Sequence, residues 1–84
     1  PYTMQVGRMD AHGGWVASAA DLLRFAVRVN GQPGRADILS AASVRQMATA
    51  STANAGYAKG WQVNAAGNWW HTGSLPGTGS ILVR

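Results

Sequence analysis

The sequence predicts an α+β fold, in which two helices are followed by a three-stranded antiparallel sheet. Apolar residues recur at helical spacing in the first half of the chain. After Gly60 the hydrophobic period falls from about 3.6 to about 2 residues, which is typical of half-buried strands. Helices followed by a run of strands are typical of an α+β domain.

The first predicted helix spans residues 18–31, and residues 1–17 before it are expected to form a loop. Ser18 is the expected N-cap, because its hydroxyl can accept a hydrogen bond from the amide of Asp21 in a capping box with Asp in place of Glu or Gln. Gly31 provides the stop signal. The expected buried stripe consists of Leu22, Phe25, Ala26 and Val29.

The second predicted helix spans residues 40–50. Ser40 is its expected N-cap, and Leu39 is expected to pack on Val44 as a hydrophobic staple. Small and polar residues at 51–56 close the helix as a loop. The expected buried face consists of Ala41, Val44, Met47 and Ala48.

Residues 60–84 are predicted to form antiparallel strands. Trp61 and Val63 alternate with polar residues in the first strand, and residues 64–68 are expected to form the first connection. Residues 69–71 begin the returning strand, and the glycine-rich segment 73–79 is the expected second turn region before the last strand. Such a small sheet leaves at least one edge uncovered, which predicts self-association through that edge.

Composition excludes several classes of protein. The 84 residues include no cysteine, so disulfides and thiolate metal sites are excluded, and 46% are hydrophobic, which argues against disorder. No apolar run reaches the roughly 18 residues of a membrane helix. The net charge of +4 comes from dispersed basic residues, so we expect no nucleic-acid partner. We also expect no metal and no cofactor, because the sequence has no Cys or Glu and a metal site would have to use His12, His71 and Asp10.

The segment after Trp70 contains the residues best suited to chemistry. His71, Thr72 and Gly73 bring an imidazole, a hydroxyl and an uncovered main chain together on one strand. A ligand can approach a glycine closely, so the amides of Gly73 and Ser74 can donate to an anion or oxyanion. The alternative interpretation is a glycine-rich hairpin with a surface histidine.

Three segments of the chain share one resemblance. His71-Thr72-Gly73 corresponds to a Lys-Thr-Gly or His-Thr-Gly element, residues 13–25 resemble a Gly-Gly and Ser/Thr-Ala-x-Asp-Leu helix start, and residues 56–63 resemble the lead into the strand before the element. In these features the chain resembles the penicillin-recognising serine hydrolases, which comprise serine β-lactamases, D-alanyl-D-alanine carboxypeptidases and related esterases. The resemblance implies that residues 1–84 are a C-terminal fragment of the β-lactamase-like (transpeptidase-like) fold.

The resemblance also implies a role for each matched residue. His71 would border the active-site cleft and help to orient substrate and move protons, and unlike a lysine it changes its charge near neutral pH. Thr72, Gly73 and Ser74 would contact the substrate, with the Ser74 backbone N–H as one of two oxyanion-hole donors. Trp15 would line the cleft, with core packing as the alternative.

Two further elements of this family are absent from the sequence. Neither Ser-x-x-Lys nor Tyr-x-Asn or Ser-x-Asn occurs, since the only lysine is Lys59 and Gly56 stands three residues before it. The nucleophile is therefore not in this chain, and we expect the isolated chain to be inactive because such groups act as a unit. A longer parent would form an acyl-enzyme on a β-lactam, D-alanyl peptide or ester.

The sequence alone leaves two other functions open. One is a basic binding module for sugar or single-stranded nucleic acid, with Trp15, Trp61, Trp69 and Trp70 as stacking platforms. The other is a non-catalytic homologue. The resemblance suggests a bacterial cell-envelope or exported protein, although the sequence carries no export signal.

Overall fold

The computed structural model describes residues 5–84, and the first four residues of the predicted N-terminal loop lie outside them. The described chain begins with a short 3₁₀ turn, Val6–Arg8, inside that predicted loop. The predicted order of two helices and three antiparallel strands is confirmed, with bounds α1 Ala19–Ala26, α2 Ala41–Ala48, β1 Gln62–Val63, β2 Trp69–Leu75 and β3 Thr78–Val83.

Helix α1 begins where its capping residue predicts but ends early. The Ser18 hydroxyl accepts from the Asp21 amide at 3.1 Å and donates to the Asp21 carboxylate at 2.9 Å. The predicted extent of 18–31 is wrong at its C-terminal end, because the helix stops at Ala26. The next amides, of Arg28 and Val29, bond to carbonyls only three residues back, at 3.0 and 3.2 Å, so the chain tightens into a turn.

The predicted buried stripe of α1 is largely uncovered. No residue of α1 is buried, and Phe25 is 50% exposed. Leu22 and Ala26 are half-buried. Val29, at 3% exposure, is the one member of the stripe that is buried, and it lies in the turn after the helix. The predicted burial is therefore wrong for Phe25, and the described residues cover the apolar side of α1 only in part.

Helix α2 follows its predicted cap and packs on the sheet. The Ser40 hydroxyl accepts from the Ser43 amide at 3.1 Å, and the helix ends at Ala48, where Thr49 turns extended. Val44 is buried, and Met47 and Ala48 pack partly buried beside it. Ala41 was expected in the buried face but is exposed.

The sheet is antiparallel throughout, in the order β1-β2-β3. The β2–β3 pairing continues to Leu75 opposite Thr78, so only Pro76 and Gly77 form the connection. Gly77 adopts a φ of +80°, which a glycine accepts without steric cost. The predicted turn over 73–79 is therefore too long, and Gly73 and Gly79 lie inside strands.

The core lies between α2 and one face of the sheet. Its buried members are Val44, Trp61 and Trp69, and the two indole rings meet edge to face with centroids 5.0 Å apart. The guanidinium of Arg84 lies 5.1 Å from the Trp69 ring centre, and its Nε donates to the Asn30 carbonyl at 3.0 Å. Arg84 thus links the sheet to the segment that follows α1.

Within residues 5–84, no helix has the length and apolar character needed to cross a bilayer.

Candidate active site at the free edge of strand β2

One edge of β2 is open over most of its length. Strand β1 pairs only with Trp69 and Trp70, so no strand among the described residues covers His71 to Leu75 on that side. Trp69 and Arg84 exchange both backbone hydrogen bonds, at 3.0 and 2.7 Å, and therefore form a hydrogen-bonded pair of the β2–β3 ladder.

Alternation along the ladder decides which groups reach the open edge. Hydrogen-bonded and non-hydrogen-bonded pairs alternate in an antiparallel sheet, so His71 and Gly73 bond to β3 through their backbones. Thr72 lies between these two residues and Ser74 follows them. Both therefore direct their backbone N–H and C=O groups away from β3. We refer to the strip formed by His71, Thr72, Gly73 and Ser74 on this side as the free edge.

The His71 side chain is held at the free edge by two contacts. Its Nδ1 lies 2.7 Å from the carbonyl oxygen of Thr72, and its Nε2 lies 3.3 Å from the hydroxyl of Tyr57. The Tyr57 and His71 rings meet edge to face, with centroids 6.3 Å apart and planes at 75°. These contacts fix the imidazole in position, and because the residue is exposed, the ring remains open to solvent.

Sequence reasoning did not identify Tyr57 as part of this site. The residue lies in a small hairpin leading into β1, where Ala58 donates to the Trp61 carbonyl at 2.8 Å and Gly60 adopts a φ of +82°. Tyr57 also forms an isolated bridge with Gln62. The available signal was its place in the segment 56–63, immediately before the strand that pairs with the His71 strand.

Gly73 lies close to a side chain of the neighbouring strand. A Cβ placed on Gly73 would lie 2.6 Å from the hydroxyl oxygen of Ser80, the residue opposite it on β3. The expected reason was close approach of a ligand. Within the sheet, a side chain at Gly73 would also require the Ser80 hydroxyl to rotate away.

The other predicted site residues lie in two separate parts of the structure. Thr72 and Ser74 are exposed on β2 beside His71. Trp15 lies ahead of α1, is 76% exposed, and donates its indole N–H to the Asp10 carboxylate. Core packing, the alternative considered for Trp15, is therefore wrong for the described chain. Its hydrogen bond is to Asp10 and not to the free edge.

The four tryptophans do not form a shared stacking surface. Trp61 and Trp69 are 7% and 5% exposed and fill the core. Trp70 is half-buried, and Trp15 is exposed at a different part of the chain. Two of the four rings are therefore closed to a ligand, which removes the main support for a tryptophan-rich binding module.

Acidic and histidine side chains do not gather into a metal centre in the described part of the chain. No group of three or more His, Cys, Asp or Glu residues there is arranged to hold a metal ion. The chemistry available at the free edge is that of an imidazole, two hydroxyls and outward-facing amides.

Comparison with known proteins identifies the class. A family model described as Beta-lactamase matches residues 1–84, the whole sequence. The match and the α+β fold define a β-lactamase-related hydrolase, in agreement with the resemblance noted from the sequence. The chain belongs to the β-lactamase family. No curated protein and no solved structure matches it significantly.

Proposed function

We propose that this chain supplies the His-Thr-Gly wall of the active site in a β-lactamase-related serine hydrolase. The observation that carries the proposal is the free edge, where Thr72 and Ser74 present outward amides beside the fixed imidazole of His71. Membership of the β-lactamase family supports the reaction class. The substrate is a β-lactam, a D-alanyl peptide or an ester.

The proposed mechanism uses the free edge to stabilise a developing oxyanion. A serine hydroxyl attacks the substrate carbonyl, the C–N or C–O bond of the substrate breaks, and the departing nitrogen or oxygen takes up the proton lost by the serine. Water then hydrolyses the acyl-enzyme, which releases a carboxylic acid and restores the serine hydroxyl. The Ser74 N–H donates to the carbonyl oxygen as negative charge develops on it. Because the amide belongs to a paired strand, it is held in place before reaction, and such preorganised donors are worth about 10²–10³-fold in rate.

Side chains of the same strip bind and orient the substrate in this proposal. The Thr72 and Ser74 hydroxyls are exposed and hydrogen-bond a substrate carboxylate or amide. His71 orients the substrate and assists proton movement. Gly73 keeps its face of the strand free of a side chain between His71 and Leu75.

The nucleophile comes from polypeptide other than these 84 residues. Ser-x-x-Lys and the Tyr-x-Asn or Ser-x-Asn element are absent from the sequence. The second oxyanion donor belongs to the nucleophilic residue, so the hole is incomplete here. We therefore assign residues 1–84 to the C-terminal portion of a catalytic domain, and the isolated chain is inactive.

Exposed apolar surface supports the same assignment. Leu23 and Phe25 on α1 are 61% and 50% exposed, and Ile81 and Val83 on the edge strand β3 are 62% and 60% exposed. In the longer protein the remainder of the catalytic domain covers these surfaces. In the isolated chain, β3 is available to pair with a second copy, since uncovered edges promote association.

The test compares the 84-residue chain with the longer protein from the same reading frame. We expect the longer protein to carry Ser-x-x-Lys, to hydrolyse nitrocefin or an ester analogue, and to label with a fluorescent penicillin. The isolated chain is expected neither to hydrolyse these substrates nor to label with the penicillin. A longer protein without Ser-x-x-Lys, or turnover by the 84 residues alone, contradicts the proposal.

A further inference from the structure

We propose that Tyr57 is a positioning residue that holds the His71 imidazole in its Nδ1-protonated tautomer. The importance of this for catalysis rests on the proposed function, in which His71 borders the cleft. The tautomer itself follows from two contacts and does not depend on the reaction.

The contact at Nδ1 determines which nitrogen carries the proton. Nδ1 lies 2.7 Å from the Thr72 carbonyl oxygen, and a carbonyl oxygen only accepts hydrogen bonds. Nδ1 must therefore carry a hydrogen and donate it. A neutral imidazole has a single N–H, so Nε2 has a lone pair and acts as an acceptor.

Tyr57 supplies the donor that this acceptor needs. Its hydroxyl oxygen lies 3.3 Å from Nε2, so in the neutral state the Tyr57 O–H donates to Nε2. The opposite tautomer would lose the hydrogen bond at Nδ1 and bring a lone pair against the Thr72 carbonyl. The two contacts therefore favour the same protonation pattern.

A hydroxyl also serves His71 when the ring is charged. Protonated imidazole donates from both nitrogens, and a tyrosine hydroxyl can rotate from donating to accepting. The ring then keeps both contacts while its charge changes. The residue opposite His71 on β3 is Leu82, which carries no charge, and Tyr57 is a titratable side chain in direct contact with the ring.

The backbone of Tyr57 is fixed firmly enough for this role. Its carbonyl accepts from the Ser51 amide at 2.9 Å and its amide donates to the Asn54 carbonyl at 3.2 Å. The side chain is half-buried. A supporting group must itself be held if it is to orient a functional one.

The experiment measures the tautomer by two-bond ¹H–¹⁵N correlation NMR on the ¹⁵N-labelled full chain, at a pH where both histidine rings are neutral. We expect His71 to show a protonated, pyrrole-type Nδ1 and an unprotonated, pyridine-type Nε2. In Tyr57→Phe, loss of one hydrogen bond is expected to shift the tautomer ratio toward Nε2–H by roughly 2- to 10-fold. His12 is the internal control, and its tautomer ratio is expected to stay unchanged.

Two results would overturn the inference. The first is a wild-type His71 that is mainly Nε2-protonated, which is decided without any variant and so does not depend on whether Tyr57→Phe folds. The second is a folded Tyr57→Phe chain, judged by circular dichroism, with an unchanged His71 ratio. Neither readout uses a substrate, so failure of this inference is distinguishable from failure of the longer protein to hydrolyse one.

Discussion

Removal of the Trp69 side chain is expected to destabilise the described structure strongly. Trp69 is 5% exposed, meets Trp61 edge to face at 5.0 Å, and lies under the Arg84 guanidinium at 5.1 Å. Among residues 5–84, the buried core cluster consists of Trp69, Trp61 and Val44, so little else there can take its place. Trp69 also stands at the start of β2, directly before the free edge.

The expected loss is large relative to the stability of so small a domain. Substitution of a buried tryptophan by alanine costs about 3–5 kcal/mol through lost burial and a residual cavity. A folded chain of this size has a free energy of unfolding of about 4–13 kcal/mol. Trp69→Ala therefore removes a large share of it. With a urea dependence of about 1–3 kcal/mol per molar, the unfolding midpoint falls by at least about 1 M.

Urea unfolding followed by far-ultraviolet circular dichroism measures this loss without relying on tryptophan fluorescence. Trp15→Ala is the matched control, because the same side chain is removed at a site that is 76% exposed. We expect this control to change the free energy of unfolding by less than about 1 kcal/mol. Equal shifts in the two variants would refute the placement of Trp69 in the core.

Two further changes test the free edge and the outer strand. Ser74→Pro removes the outward N–H without breaking the β2–β3 ladder, and in the proposed longer hydrolase it is expected to lower kcat/KM by about 10²–10³-fold. Ser74→Ala keeps the N–H and serves as its control, so equal losses in the two variants contradict an oxyanion role for the amide. Ile81→Lys places a charge on the edge strand β3, and by sedimentation velocity it is expected to reduce self-association of the isolated chain. A wild-type chain that is monomeric at high concentration contradicts the proposed use of that edge.

Local signals in the sequence predicted the starts of both helices. Ser18 and Ser40 cap α1 and α2 because a cap depends only on a hydroxyl and an amide three residues ahead. The end of α1 was not predictable in the same way. Gly31 suggested a stop at that residue. The helix ends earlier, at Ala26, because the amides of Arg28 and Val29 bond to carbonyls three residues back instead of four.

The long-range features escaped prediction for a related reason. The contact between Tyr57 and His71 joins residues 14 positions apart, and Arg84 reaches Asn30 across 54 positions. No periodicity reports such pairs. The amphipathic pattern of α1 likewise identified an apolar side but could not identify what covers it. The location of the candidate site on β2 was predictable, because His71, Thr72 and Ser74 are consecutive or nearly so in the chain.

The most direct test locates the acyl group in the longer protein. After reaction with a fluorescent penicillin or an acyl phosphonate, the labelled peptide is identified by tandem mass spectrometry. We expect the label on the serine of a Ser-x-x-Lys element outside residues 1–84, with labelling slowed much more by Ser74→Pro than by Ser74→Ala. A label on any serine within these 84 residues would show that the free edge does not serve a nucleophile supplied by other polypeptide.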